Sequence, residues 1–266
     1  MEHFKSRSTE LTDIWNNSSQ YPDVTVNSAN ETFAVWQRYV DHTEVIRFAR
    51  IEHGQPKEEV TVSGRGLALR PALHTFRDVV YVAWSEFDNE QWHCCVRSYR
   101  DGVFGPIQVI ESGEALFYPS VKDDGEHPVV VYNRQSVGHS DTVIATLGET
   151  VTLETVNLSV KSYRPAFDHD GCGHRFIAYD RYNGEGYDVV VRAEIDGQWS
   201  EEIQLNRTDI YCTHPVMTRC GNQVTVAWYE NGRHCYFSNN VIDVAVIDGK
   251  VVTDHYEVLT ENRNWY

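Results

Sequence analysis

A proline followed 13 or 14 residues later by a tryptophan or tyrosine, with an apolar run leading into that aromatic, occurs five times along this chain. The prolines are Pro22, Pro71, Pro119, Pro165 and Pro215, and the matching aromatics are Trp36, Trp84, Tyr132, Tyr179 and Trp228. Successive prolines stand 49, 48, 46 and 50 residues apart. A period in this range, with room for about four short strands per unit, is the sequence mark of a propeller blade. The expected fold is therefore all-β, a single five-bladed β-propeller of four-stranded antiparallel blades spanning residues 1–266. The blades fall at about 22–64, 71–113, 119–159, 165–208 and 215–260.

Within the first unit, Asp23–Val26, Thr32–Arg38, Glu44–Glu52 and Glu58–Val62 read as strands, rich in β-branched and aromatic residues and separated by Asn, Gly or Pro turns. Later units repeat the pattern with VVYVAWSEF, PVVVYNRQ, HRFIAYDRY and QVTVAWYEN as their second strands. These runs are apolar on both faces, which suits sheets packed face to face around a ring and makes the terminal aromatic a packing residue between blades. Residues 1–20 are polar, and Thr9–Trp15 is expected to add an edge strand or to cap the ring.

The 266 residues carry 39 Asp and Glu against 23 Lys and Arg, a net charge of −16, which argues against nucleic acid or an anionic membrane as a partner. Neither a signal peptide nor an 18-residue apolar run is present, so a cytoplasmic location is expected, or a secreted one if a leader has been removed. The six cysteines form no C-x-x-C pair and are expected to be buried, reduced thiols. His169 with Asp168 and Asp170, and the DDGEH run at Asp123–His127, resemble ligand clusters. Both fall at hairpin turns, so no metal and no cofactor is expected.

The repeated x-P, followed by V-x-V-A-W and a later D-G-x-W turn at Asp196–Trp199, resembles β-propellers of the broad sialidase-like and glycosidase-like group over residues 21–260. The sialidase Asp-box is absent, and five blades are similar to furanosidase-type glycoside hydrolases and to a five-bladed lectin. The resemblance implies the fold and a carbohydrate ligand, and assigns no catalytic residue.

Propeller geometry predicts that two sets of residues converge at one rim of the channel. The first precedes each proline: Tyr21, Arg70, Tyr118, Arg164 and His214. The second follows each aromatic: Gln37 and Arg38, Ser85 and Glu86, Asn133 and Arg134, Asp180 and Arg181, Tyr229 and Glu230. Five of these are arginines in an acidic chain, an arrangement suited to a carboxylate, sulfate or phosphate. Glu86, Asp180 and Glu230 are the candidate catalytic carboxylates for glycoside hydrolysis, with Asp23 a weaker fourth. Elimination on a uronate sugar is the other chemistry open to this rim, with His214, Tyr21 or Tyr118 moving protons. Substrate binding is assigned to Tyr21, Arg38, Arg70, Tyr118, Arg134, Arg164 and Arg181. Alternatively, Arg38, Arg134 and Arg181 pair with Glu86, Asp180 and Glu230 across the channel. The functions expected are a glycosidase or lyase, then a lectin-like sugar-binding propeller, then a protein-interaction ring.

Overall fold

The computed structural model describes residues 19–156, 161–206, 211–231, 237–247 and 250–256. The stretch Thr9–Trp15 and the end of the fifth repeat lie outside the described residues. No helix long and apolar enough to cross a membrane occurs among them.

The chain is a five-bladed β-propeller, each blade an antiparallel sheet of strands consecutive in sequence. Blade 1 holds β1 (Ser19–Val26), β2 (Thr32–Val40), β3 (Thr43–Glu52) and β4 (Gln55–Thr61). Blade 2 holds β5 (Leu67–Phe76), β6 (Val79–Asp88), β7 (Gln91–Arg100), β8 (Val103–Phe104) and β9 (Gln108–Gly113). Blade 3 holds β10 (Leu116–Asp123), β11 (Pro128–Ser136), β12 (His139–Leu147) and β13 (Val151–Val156). Blade 4 holds β14 (Ser162–His169), β15 (Arg175–Tyr182), β16 (Tyr187–Ile195), β17 (Gln198–Trp199) and β18 (Ile203–Gln204). Blade 5 holds β19 (Tyr211–Cys220), β20 (Gln223–Asn231), β21 (Phe237–Ile247) and β22 (Lys250–Tyr256).

The hairpins are tight because their central residues accept positive φ. Asp41–His42, Arg77–Asp78, Asn89–Glu90 and Asp101–Gly102 all turn with both residues in the left-handed region, as a two-residue type I′ loop requires. In blades 2 and 4 the outer strand is split in two. At each break an arginine on the third strand fills the gap: Arg97 Nε donates to Gly105 O and Arg192 Nε to Ser200 O.

Apolar faces of neighbouring blades make the core. Val35, Ile46 and Phe48 of blade 1 pack on Val82 and Trp84 of blade 2. Val96 and Cys94 meet Val130 and Tyr132, Val131 and Ile144 meet Ile177 and Tyr179, and Phe176 and Val191 meet Val226 and Trp228. All five repeat aromatics are buried. Burying a large ring between two sheets contributes on the order of 2–3 kcal/mol, which explains why the repeat keeps an aromatic there.

Cys94, Cys95 and Cys212 are buried, whereas Cys172 and Cys220 are exposed, contrary to the expectation of burial. Cys172 sits in the turn after β14 and Cys220 ends β19, both at hairpin ends rather than on the packed faces of the sheets.

Candidate functional site

Each innermost strand begins before its proline, and the proline sits at a β-bulge. In β1, Gln20 pairs with Gln37 and Asp23 with Val35, so Tyr21 and Pro22 together oppose the single residue Trp36. The same two-against-one arrangement sets Arg70 and Pro71 against Trp84, Tyr118 and Pro119 against Tyr132, Arg164 and Pro165 against Tyr179, and His214 and Pro215 against Trp228. This is the physical origin of the proline-to-aromatic repeat. Proline lacks an N–H and fits a bulge, where the ladder needs none.

The residue before each proline is in the left-handed region: φ is 52° at Tyr21, 53° at Arg70, 57° at Tyr118, 48° at Arg164 and 57° at His214. A non-glycine residue held there costs on the order of 1–3 kcal/mol, and five copies mean the scaffold fixes the conformation. The bulge turns these five side chains to the axis, where they line one cavity of about 500 Å³.

Around the cavity mouth, aromatic rings and guanidinium groups alternate. The Arg70 guanidinium lies 4.4 Å from the Tyr21 ring centroid and 4.5 Å from that of Tyr118. Arg164 lies 5.8 Å from Tyr118 and 5.5 Å from Tyr187 on its other side. Arg164 Nε donates to Asp180 Oδ1 at 3.0 Å and its Nη2 donates to Asp180 Oδ2, so this charge is matched. Among the described residues, Arg70 has no carboxylate partner. Burial pushes the Asp180 carboxyl up to about 6 despite the Arg164 pairing. His214 has Nδ1 3.0 Å from Thr213 Oγ1, and partial burial, with the charges of Arg164 and Arg70, depresses its imidazole to about 4.

Asp23, His74 and Lys122, further along the inner strands, also line the cavity. Asp23 is the one carboxylate among the described lining residues, which also hold Arg70, Lys122 and Arg164. Its Oδ2 accepts from Leu73 N at 2.8 Å and its Oδ1 from Val24 N at 2.9 Å, and burial raises its pKa.

No described side chain of the second predicted set lines the cavity. Gln37, Ser85, Asn133 and Asp180 are buried. Three of them tie one blade to the next by accepting the bulge N–H: Gln37 Oε1 from Arg70 N at 3.0 Å, Asn133 Oδ1 from Arg164 N at 2.8 Å, and the Asp180 carboxylate from His214 N. Left-handed backbone aims that N–H sideways at the preceding blade, where a short polar side chain meets it.

The arginines after the aromatics pair outside the channel, with partners other than those expected. Arg38 pairs with Glu59 at 3.0 Å, Arg134 with Glu111 at 2.7 Å, and Arg181 with Glu202 at 2.5 Å and Asp188 at 3.2 Å. Strand alternation puts the second residue after each aromatic on the same sheet face as that aromatic, between blades, where it meets an acid from an outer-strand segment. Glu86, at the equivalent position of blade 2, accepts from Gly64 N at 2.9 Å, Gly66 N at 3.1 Å and Trp84 Nε1 at 2.7 Å. The Glu230 side chain lies outside the described residues.

A polar chain links four blades at the other end of the inner strands. His74 Nε2 is 2.8 Å from Asp123 Oδ2, Asp123 Oδ1 is 3.1 Å from His169 Nε2, and that nitrogen is 2.7 Å from Arg219 Nη1. His169 Nδ1 donates to Asp170 O at 2.8 Å. The clusters with ligand-like spacing thus satisfy one another, and no group of three potential metal ligands occurs among the described residues.

Six of the predicted site residues, Tyr21, Arg70, Tyr118, Arg164, His214 and the weaker candidate Asp23, therefore meet at the cavity. His74 and Lys122 were missed in the sequence. The signal for them was there, since both stand three residues after a repeat proline.

No protein-family profile and no curated protein matches the sequence. Solved structures match the fold at low identity. A protein of unknown function from Dyadobacter fermentans is 10% identical with a TM-score of 0.66, covering 85% of this chain and 79% of its own. An α-L-arabinofuranosidase from Fusarium graminearum, in complex with an iminosugar inhibitor, is 13% identical with a TM-score of 0.61, covering 92% and 93%. An α-L-arabinanase from Penicillium chrysogenum, complexed with arabinobiose, is 11% identical with a TM-score of 0.60, covering 90% and 93%. The chain thus has the fold of five-bladed propellers that include glycoside hydrolases.

Proposed function

We propose that this chain is a carbohydrate-active propeller whose channel mouth binds a glycan bearing a carboxylate. The observation that carries this reading is Arg70, a guanidinium held between the faces of Tyr21 and Tyr118 over a cavity of about 500 Å³, with no carboxylate partner among the described residues. Arg's planar fork accepts a carboxylate through two parallel hydrogen bonds, and the flanking tyrosine rings offer flat surfaces and hydroxyls to a sugar. One protein of this fold, named as an α-L-arabinanase, was solved with arabinobiose, which supports a sugar as the ligand.

Hydrolysis by two carboxyl groups about 5–10 Å apart fits less well. Glu86 is surrounded by three donors and Asp180 is gripped by Arg164, which leaves Asp23 as the carboxylate that faces the described cavity.

Isothermal titration with oligogalacturonate and with neutral arabino-oligosaccharide tests the proposal. The acidic ligand is expected to bind more tightly, and Arg70→Ala to lose about 10–100-fold, the scale of hydrogen bonds to a charged group. Equal affinity for both ligands, together with an unaffected Arg70→Ala variant, would overturn it.

A further inference from the structure

We infer that the mouth carries out β-elimination on a uronate glycan, with His214 as the base, Arg70 as the carboxylate clamp and Tyr21 as the proton donor to the leaving oxygen. This rests on the acidic-glycan reading of the mouth and adds a reaction to it. The three residues occupy equivalent bulge positions on blades 5, 2 and 1, so one backbone device brings all three to the axis.

The chemistry needs a weakly acidic C–H, a neutral base and an acid. The hydrogen on C5 of a uronate, next to the carboxylate, is hard to remove because a second negative charge develops on that carboxylate. A guanidinium bound to it stabilises this charge as it forms. Arg70 meets the requirement better than Arg164 does, because Asp180 already matches the Arg164 charge.

His214 is a neutral imidazole at pH 7, since burial and the cations Arg164 and Arg70 hold it at about 4. In the tautomer whose Nδ1–H donates to Thr213 Oγ1, the Nε2 lone pair is free to face the cavity. A substrate carboxylate seated on Arg70 offsets one of those two cations, so the base strengthens when substrate binds. Tyr21 follows His214 around the ring and stacks on Arg70. Tyr21 is 41% exposed, so its phenol can meet a ligand.

The step balances as follows. His214 Nε2 takes the C5 proton, the C5–H electron pair forms the C4=C5 double bond, and the C4–O4 bond breaks. The leaving oxygen takes the Tyr21 proton and becomes the new hydroxyl end of the departing chain. Proton exchange through solvent then returns His214 and Tyr21 to their starting states. No water is added to the glycan, and neither an oxidant nor a metal is required.

The test uses the full chain with polygalacturonate, alginate and hyaluronate. Product is followed by the ultraviolet absorbance of the conjugated unsaturated uronate, and binding is followed separately by titration calorimetry. At least one polymer is expected to bind and to yield unsaturated product. His214→Gln is expected to lower that rate by about 100-fold or more while binding persists, the usual scale for loss of a general base. Tyr21→Phe, which keeps the ring on Arg70, is expected to lower the rate with binding retained, and Arg70→Lys to keep part of both.

Binding without unsaturated product would overturn the elimination and leave the acidic-glycan reading standing, as would release of saturated fragments only. Failure of all three polymers to bind would remove both. A His214→Gln variant that folds, by its unchanged melting temperature, and keeps the wild-type rate would overturn the assignment of the base.

Discussion

Asp180, with its side chain 0% exposed, holds both the side chain of Arg164 on its own blade and the backbone N–H of His214 on the next. One buried carboxylate therefore sets how many cations the channel mouth presents and fixes the strand that carries the fifth rim residue. Its raised pKa, to about 6, follows from burial outweighing the pairing with Arg164.

Anion affinity should consequently rise as pH falls from 7 to 5. Protonating Asp180 leaves the Arg164 charge unmatched beside Arg70, while His214, with its pKa near 4, stays mostly neutral over this range. Asp180→Asn should mimic the effect at pH 7, because an amide oxygen still accepts the His214 N–H. The expected gain is about 1–2 kcal/mol, or roughly 5–30-fold in Kd for oligogalacturonate. Calorimetry showing affinity flat or falling with acidification would count against Asp180 as the gate on Arg164.

Glu86 is expected to act in folding rather than in ligand binding. Its carboxylate accepts from two glycine N–H groups and from Trp84 Nε1, and a Cβ on Gly66 would overlap Phe87 O, so this corner tolerates little change. Glu86→Ala leaves a buried indole N–H and backbone donors without partners, at a cost of about 2–4 kcal/mol. Chemical denaturation should register the loss while the affinity of the folded variant stays at the wild-type level. A stable variant that no longer binds would reverse this assignment.

Asn133 should behave as an inter-blade tie. It is fully buried, accepts from Arg164 N at 2.8 Å and donates to Ser162 O at 3.3 Å. Asn133→Leu keeps the branched shape but deserts both backbone groups, so a loss of about 2–3 kcal/mol is expected in urea titrations. A change under about 0.5 kcal/mol, the range of ordinary surface substitutions, would mean the bulge is held by other contacts.

Asp123 makes the polar chain opposite the mouth sensitive to acid. Burial alone raises its pKa, but the His74 hydrogen bond, the Gly125 N–H and the nearby histidine charges outweigh that and bring it down to about 2. A carboxyl with a lower pKa in the folded state stabilises the fold above its unfolded value of about 4, and that contribution fades as pH falls from there towards 2. Asp123→Asn should cost about 1–2 kcal/mol at pH 7, allowing for partial solvent screening, and the gap to wild type should narrow at pH 3. A gap independent of pH would show that the ion pairing contributes nothing.

Much of the rim was legible in the residues themselves. Tyr21, Arg70, Tyr118, Arg164 and His214 stand out because each precedes a repeat proline while differing in chemistry from its counterparts. Arg38, Arg134 and Arg181 looked equivalent to them, since one-dimensional spacing places them at the same rim. Only the pairing partners separate the two groups: Glu59, Glu111 and Glu202 are 21 to 23 residues away in sequence and become neighbours through strand pairing and blade packing. Asp23 ranked below the other carboxylates, yet it lines the cavity, because the bulge shifts side-chain alternation by one residue and no residue type announces that shift.

The amino-acid order by itself determined the number of blades, the position of each inner strand and the burial of the five aromatics, because these follow from local propensity and a fixed period. The tertiary structure alone decided which charges face the channel. Five left-handed residues at five bulges turn Arg70 and Arg164 inward, and the match between Arg164 and Asp180 leaves Arg70 as the guanidinium with no described carboxylate partner. Charge compensation is a property of distances between blades, and those distances exist only once the ring has formed.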